Sequence, residues 1–218
     1  MRSEEYIEIG IGLLLCILAV ITLFSPWFKI ETTRTYVITN GTGIAAYYKL
    51  GGIVRVHMPS ANSSDSILVT FHINDLPDDK GKSHLLGVFA NTYYLIVAGL
   101  VFILLAFIPV LISKVVPLTI FLKLKVYSNY IILVAGIFFL AAQIYFSAEV
   151  PTALANLHSL MPAEIMQLPG KYISGLYGTI DILCYSPAFG WYLSFVTFMI
   201  SLAYSRILRI IKGSSAKP

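Results

Sequence analysis

Leu86 to Ile112 reads LGVFANTYYLIVAGLVFILLAFIPVLI, without a single Asp, Glu, Lys or Arg from end to end. A helix crosses a hydrocarbon core about 30 Å thick with roughly 20 residues, so this stretch predicts a membrane-spanning helix with length to spare. The core helix of a soluble protein is the competing reading for any one such run. Three more apolar runs leave it little room: Ile9 to Phe24, Tyr127 to Phe146 and Phe189 to Ile211. The expectation is a mainly α membrane protein, a four-transmembrane-helix bundle, with spans at 9–24, 86–112, 127–146 and 189–211 of a single domain covering 1–218.

Composition points the same way. Of 218 residues, 57% are hydrophobic and only 12% charged, and the mean hydropathy is +0.80. A soluble fold of this length needs far more charge to stay dispersed and cannot hide this many apolar side chains. Intrinsic disorder, a disulfide-stapled secreted module and most soluble enzymes are excluded on the same ground. Because the first run opens the chain and is short, a secretory signal competes with a retained helix. Arg2 is the only early base, Glu4, Glu5 and Glu8 surround it, and no small-x-small cleavage pattern precedes Ser25-Pro26-Trp27. A retained helix is expected.

Charge then sets direction, since basic residues in short loops resist translocation whereas long loops cross largely regardless. The connection 113–126 holds Lys114, Lys123 and Lys125 without an acid, and the chain after span four begins to fade holds Arg206, Arg209, Lys212 and Lys217, again without one. Both are expected in the cytoplasm, together with both termini, in a multi-pass protein of the plasma membrane. The net charge of +4 follows from this orientation and calls for no nucleic-acid partner. Arg206, Arg209 and Lys212, set among Ile207, Leu208, Ile210 and Ile211, are suited to anionic headgroups of membrane lipids. The loops 29–85 and 147–188 then face outward. Asn40-Gly41-Thr42 and Asn62-Ser63-Ser64 are acceptor patterns for N-glycosylation, which has meaning only on an exported surface.

The first outer loop is too long and too patterned to be an idle connector. Lys29 to Ile38, Tyr47 to Met58 (broken by Gly51-Gly52) and Ser66 to Ile73 are β-like runs separated by turn residues. They predict a small antiparallel sheet of three or four strands. In the second loop, Leu154, Leu157 and Leu160 have helical spacing, so span three is expected to project beyond the bilayer before Pro162 or Pro169. Tyr172 to Pro187 is apolar for a loop: cover for the sheet is the first expectation, with a place in the membrane interface, which favours tyrosine, and a protein contact as the alternatives.

Chemistry is sparse. Intramembrane ionisable groups are the strongest pointer to transport, and here only Glu8 stands at the start of span one. Asn91, Asn129, Gln143 and the series Ser194, Thr197, Ser201 are mild polar residues. The series recurs at helical spacing and predicts helix contacts rather than a pore lining; Gly10, Gly12, Gly99 and Ala135-Gly136 allow similarly close approach. His57 and His72 stand on adjacent predicted strands, and Asp75, Asp78 and Asp79 cluster after them, but neither group has the ligand spacing of a zinc or calcium site. Cys16 and Cys184 make no spaced pair. No catalytic residue, cofactor or metal is assigned, since nothing assembles a nucleophile, a base and an orienting group. Trp27 and Trp191, each at the outer end of a span, read as interfacial anchors.

The β-rich first loop entered through Ser25-Pro26-Trp27-Phe28, the four spans and the shorter second loop resemble the claudin and peripheral-myelin-protein superfamily. The first loop has neither a cysteine nor Gly-Leu-Trp, so the paracellular sealing of claudins proper is not part of what the resemblance implies. It implies a left-handed four-helix bundle bearing an outer sheet, used for contacts along and between membranes. The expected function is non-enzymatic: the outer sheet and apolar second loop bind a neighbouring copy or another membrane protein. An accessory subunit of a transporter or membrane enzyme is the alternative, and a small channel or transporter the third reading.

Overall fold

A computed structural model describes residues 3–32, 45–59, 66–75, 80–112, 119–155, 178–180 and 183–214. These form α1 (Ser3–Phe24), β1 (Pro26–Thr32), β2 (Ala45–Lys49), β3 (Ile53–Pro59), β4 (Ser66–His72), α2 (Lys80–Ile112), α3 (Thr119–Ala155), β5 (Gly178–Ile180), β6 (Leu183–Pro187) and α4 (Phe189–Ser214), with a 3-10 turn at Ile73–Asp75. Three helical stretches, Tyr6–Phe24, Lys82–Ile112 and Tyr127–Ala153, are long and apolar enough to cross a membrane. They suggest a membrane-embedded protein. In α4 the apolar part within the described side chains, Phe189–Tyr204, is shorter.

The helices outrun the apolar runs that announced them. Hydropathy marks what lipid tolerates, whereas the hydrogen-bond ladder continues through polar residues such as Lys82, Ser83 and His84 in α2. In α1 it stops at Ser25-Pro26, because proline disfavours the helical region for the residue before it. α3 runs on through Pro151 to Ala155; Leu157, Leu160, Pro162 and Pro169 lie outside the described residues.

The chain divides into two compact units. One comprises 1–23, 94–142 and 193–218 and is helical. Its core holds Leu15, Ala19, Ile103, Phe107, Ile132, Phe139 and Tyr204. Glycines let the helices close up: a Cβ at Gly12 would collide with the Phe107 ring, one at Gly99 would lie 2.6 Å from Phe139 Cε2, and one at Gly136 would lie 2.8 Å from Ser201 Cβ. Gly10, expected to play the same part, has nothing within 4 Å. Outward-facing Leu13, Ile17, Leu105, Ile108, Ile137 and Met199 are exposed, an arrangement that suits lipid and not water.

The other unit, 24–93 with 143–192, carries the sheet. Its six strands run in the order β4-β3-β2-β1-β6-β5, every neighbouring pair antiparallel. The expected first-loop strands are there, with β1 starting at Pro26. Cover for the sheet is the expectation for Tyr172 to Pro187; the described part of that stretch, β5 and β6, instead extends the sheet edgewise, β6 pairing with β1 from Phe28↔Pro187 to Thr32↔Leu183, and 172–177 and 181–182 lie outside the described residues. Between β2 and β3, Gly52 takes a φ of +74° and donates its N–H to Lys49 O at 3.0 Å. Only glycine accepts that conformation without strain.

Alternation sorts the sheet's faces. Ala46, Tyr48, Val54 and Val56 are buried, whereas Arg55 and His57 are exposed. A bulge between Pro26 and Phe28 breaks the alternation and turns both Trp27 and Phe28 inward. Trp27 then meets the Phe146 ring at 5.1 Å, Phe89 stacks on Phe146 at 5.9 Å, and Phe28 meets Tyr48 at 6.1 Å.

Candidate functional site

Among the described residues of the sheet-bearing unit, β4 is a terminal strand of the sheet, as β5 is at the other end. Its register with β3 is unbroken from Ile53↔His72 to Pro59↔Ser66. Leu68 is 53% exposed and Val69 37%, and Thr70 is exposed as well, so both faces of the strand are open. Its sequence, SILVTFH, contains no Asp, Glu, Lys, Arg or Pro. Those are the residues that ordinarily blunt an edge.

The end of β4 is tied down by His72. Its Nε2 donates to Gly51 O at 2.8 Å, which fixes Nδ1 as the acceptor of the Asn74 N–H at 3.1 Å. Asp75 Oδ2 accepts the His72 N–H at 3.0 Å, and Lys82 Nζ donates to Asn74 O at 2.8 Å. Asp75 is thus engaged in a turn, while Asp78 and Asp79 lie outside the described residues. His57 does not approach His72: it pairs across β3 and β4 with Leu68 and stacks edge-on against Tyr47 at 5.7 Å. Among the described residues no three His, Cys, Asp or Glu side chains converge.

Two features of this unit had no sequence signal. His84 Nε2 and Glu149 Oε2 form a pair 3.2 Å apart, linking α2 to α3 across 65 residues of sequence. Tyr48 is 1% exposed and its hydroxyl has no hydrogen-bond partner among the described residues, an uncommon state for a buried polar atom. Burial raises its pKa above the ordinary tyrosine range. Burial, and then the Arg55 charge, lowers that of Lys49.

The predicted anchors divide. Trp27 is completely enclosed by protein; an indole that no headgroup can reach packs the base of the sheet and does not mark an interface. Trp191 is partly exposed, its Nε1 donating to Ser147 Oγ at 3.1 Å and its ring edge-on to exposed Tyr192. Exposed Tyr6, Tyr93, Tyr94, Tyr127, Tyr130 and Tyr192 were not singled out by the sequence reading, although tyrosine shares tryptophan's preference for membrane interfaces. Asn40 and Asn62 lie outside the described residues. Arg206, Arg209 and Lys212 fall on α4 beyond Tyr204, the last residue there whose side chain is described.

The mild polar residues are individually engaged. Ser194 Oγ donates to Phe139 O of α3 at 3.0 Å, whereas Thr197 and Ser201 donate one turn back within α4, to Leu193 O and Thr197 O. All three are buried. Gln143 donates to Trp191 O at 2.8 Å and Asn91 to Tyr145 Oη at 2.9 Å. Asn129 Oδ1 is buried without a partner among the described residues.

The helical unit also contains an acid that hydropathy had set at a helix mouth. Glu8 is 6% exposed, and Tyr204 Oη donates to its Oε1 at 3.3 Å. Ser128 hydrogen-bonds the same phenol, leaving the order Ser128 to Tyr204 to Glu8. Phe107 of α2 sets its ring at 77° to that of Tyr204, centroids 5.8 Å apart.

No protein-family profile matches the chain, and no curated protein matches it.

Proposed function

We propose that this is a non-enzymatic, claudin-like protein of four spans in the plasma membrane, with both termini cytoplasmic, in which copies bind one another through the outer sheet. The open, uncharged edge strand β4 carries the reading. Two such strands paired antiparallel about Val69 bring Leu68 of each copy opposite Thr70 of the other, so no like charges meet. The pairing is self-complementary, which favours a second copy over an unrelated partner. One strand pair buries less than the roughly 1,200–2,000 Å² of a stable soluble complex. Confinement in a membrane raises the effective concentration enough for so small a contact to operate.

Support for the membrane placement comes from the helices. Tyr6–Phe24 extends for 19 residues, about 28 Å at the helical rise, close to one hydrocarbon thickness. Exposed Tyr6, Tyr127 and Tyr130 suit the inner interface and Tyr93, Tyr94 and Tyr192 the outer one.

The test uses full-length protein, labelled with donor and acceptor dyes and reconstituted in phosphatidylcholine vesicles. Leu68→Lys alone and Thr70→Glu alone are expected to lower energy transfer between copies, because each buries an unpaired charge at the pairing. The double variant sets Lys opposite Glu twice and is expected to restore it. Both positions lie on the solvent side of β4, so the fold tolerates the changes. Transfer that is indifferent to all three variants overturns the β4 reading. A different protein held stoichiometrically by wild type and lost from both single variants overturns self-association in favour of an accessory subunit.

A further inference from the structure

We propose that the open face of β2, β3 and β4 is a docking surface for an extended acidic segment of another protein, one that reads acid-x-acid-x-apolar along the diagonal Lys49, Arg55, Leu68. Alternation puts Tyr47 and Lys49 on the face opposite buried Ala46 and Tyr48, and Ile53, Arg55 and His57 on the face opposite buried Val54 and Val56. Arg55 stands at the centre, in register with Tyr47 on one side and Thr70 on the other. Lys49, two residues beyond Tyr47, is one strand over and displaced toward Ile53. Leu68, which pairs with His57, is one strand over on the other side and displaced the opposite way. The three residues therefore fall on one line across the sheet, diagonal neighbours being about 7–8 Å apart. Leu68 is 53% exposed, and Ile53, Arg55, His57 and Thr70 are open as well.

Charge and composition select the occupant. The three strands, AAYYK, IVRVHMP and SILVTFH, hold two cations and no Asp or Glu. Burial, and then the Arg55 charge, lowers the Lys49 pKa, so the two cations sense one another, and carboxylates arriving beside them relieve that repulsion. Alternate side chains of an extended segment stand about 6.6 Å apart. That is close to the diagonal step, so residues i and i+2 set one carboxylate at each cation, with the Arg55 fork taking its carboxylate bidentately. Residue i+4 then reaches Leu68, which matches an apolar side chain and not a third acid. A second copy does not suit this face, because stacking two faces centred on Arg55 brings cation against cation. A sulfated polysaccharide has no apolar group to lay on Leu68. Arg and Tyr, side by side at the centre, are residue types that dominate binding energy at protein interfaces. The patch spans three strands, about 10 Å, by about 13 Å along β3, so the contact is small and reversible.

The experiment titrates peptides against full-length protein in phosphatidylcholine nanodiscs and follows saturation-transfer NMR of the peptide, a readout suited to weak binding. The probes are Glu-Ser-Glu-Ser-Leu, its rearrangement Glu-Glu-Leu-Ser-Ser and the charge-swapped Glu-Ser-Lys-Ser-Leu. Wild type is expected to bind the first more tightly than the second, which carries the same charge. Arg55→Glu is expected to weaken the first about tenfold or more and to bind the charge-swapped peptide better than wild type does, a gain that a misfolded variant cannot show. Lys49→Glu is expected to weaken the first peptide as well. Arg55 is not on β4, so energy transfer between copies is expected to be unchanged by Arg55→Glu, which separates failure of this proposal from failure of the edge pairing. Wild type that gives no transfer at about 1 mM of the first peptide, that binds the rearrangement equally well, or that loses nothing on Arg55→Glu overturns the proposal. Heparin or phosphatidylserine vesicles that bind more tightly than the first peptide and are released by Arg55→Glu overturn a protein partner in favour of a polysaccharide or a lipid surface.

Discussion

Tyr48→Phe isolates one atom. The hydroxyl removed is buried and has no partner among the described residues, on a side chain 1% exposed, while the ring stays in place against Phe28 at 6.1 Å. A buried polar group without a partner costs about 1–3 kcal/mol in desolvation, and no hydrogen bond among the described residues offsets that cost here. The substitution is therefore expected to stabilise the protein by about 1–2 kcal/mol, a gain of roughly 2–4 °C per kcal/mol for a chain of this size. Thermal unfolding of the two proteins in the same mild detergent, followed by near-ultraviolet circular dichroism, measures it.

The pH dependence supplies a sharper check. Burial raises the folded-state pKa of Tyr48, while in the unfolded chain a tyrosine titrates near 10. Below about pH 10 the phenol is neutral in both states and adds no slope. Above it the unfolded chain releases a proton that the folded chain retains, so wild type loses about 1.4 kcal/mol per pH unit until the folded-state pKa is reached. The phenylalanine variant lacks that loss, and the remaining tyrosines cancel between the two proteins. The advantage of Tyr48→Phe must widen as pH rises past 10. A variant less stable than wild type at neutral pH, or two alkaline limbs that run parallel, would refute the reasoning.

Other substitutions test the packing. Gly190→Ala places a methyl 2.6 Å from Trp27 Cδ1 and 2.9 Å from Pro26 O; backbone cannot give way cheaply, and a loss of about 1–3 kcal/mol is expected in the same melts. Ser194→Ala removes a bond between helices and should cost about 1 kcal/mol. Thr197→Ala removes only a bond within its own helix and should cost less, an order that a double-blind ranking of melting midpoints can reverse. Phe146→Ala withdraws the ring shared by Trp27 and Phe89 and is expected to cost about 3–5 kcal/mol, detected as a lost or broadened transition.

Local pattern and long-range pairing were unequally legible in the sequence. The helices could be read because a run such as Leu86 to Ile112 announces itself without reference to anything else in the chain. Strands β2 to β4 could be read for a related reason: the Gly51-Gly52 turn and the β-branched runs are local signals. The pairing of β6 with β1 could not, since it joins segments more than a hundred residues apart and β6, LCYSP, has little strand character of its own. Trp27 misled for a different reason. At the end of an apolar run an indole suits either a headgroup or a protein core, and only the bulge that turns Trp27 and Phe28 to the same side decides for the core.

Glu8 is the instructive case among the candidate sites. A hydropathy profile averages over its neighbours, so an acid followed by Ile9, Ile11 and Leu13 is taken as the polar edge from which a span departs. Its partner is Tyr204, 196 residues further along, and no window of sequence contains both. Tyr204 itself gives no warning, because a tyrosine near the end of the last apolar run fits an interfacial position. Instead it is fully buried, with the Phe107 ring at 77° to its own and Ser128 and Glu8 at its hydroxyl. The same logic applies to His84 and Glu149, each unremarkable alone and paired only once α2 and α3 lie side by side. In a chain with so few charged groups, the informative question about each one is which partner the fold brings to it. For Glu8 the partner among the described residues is the Tyr204 phenol, supplied from the far end of the chain.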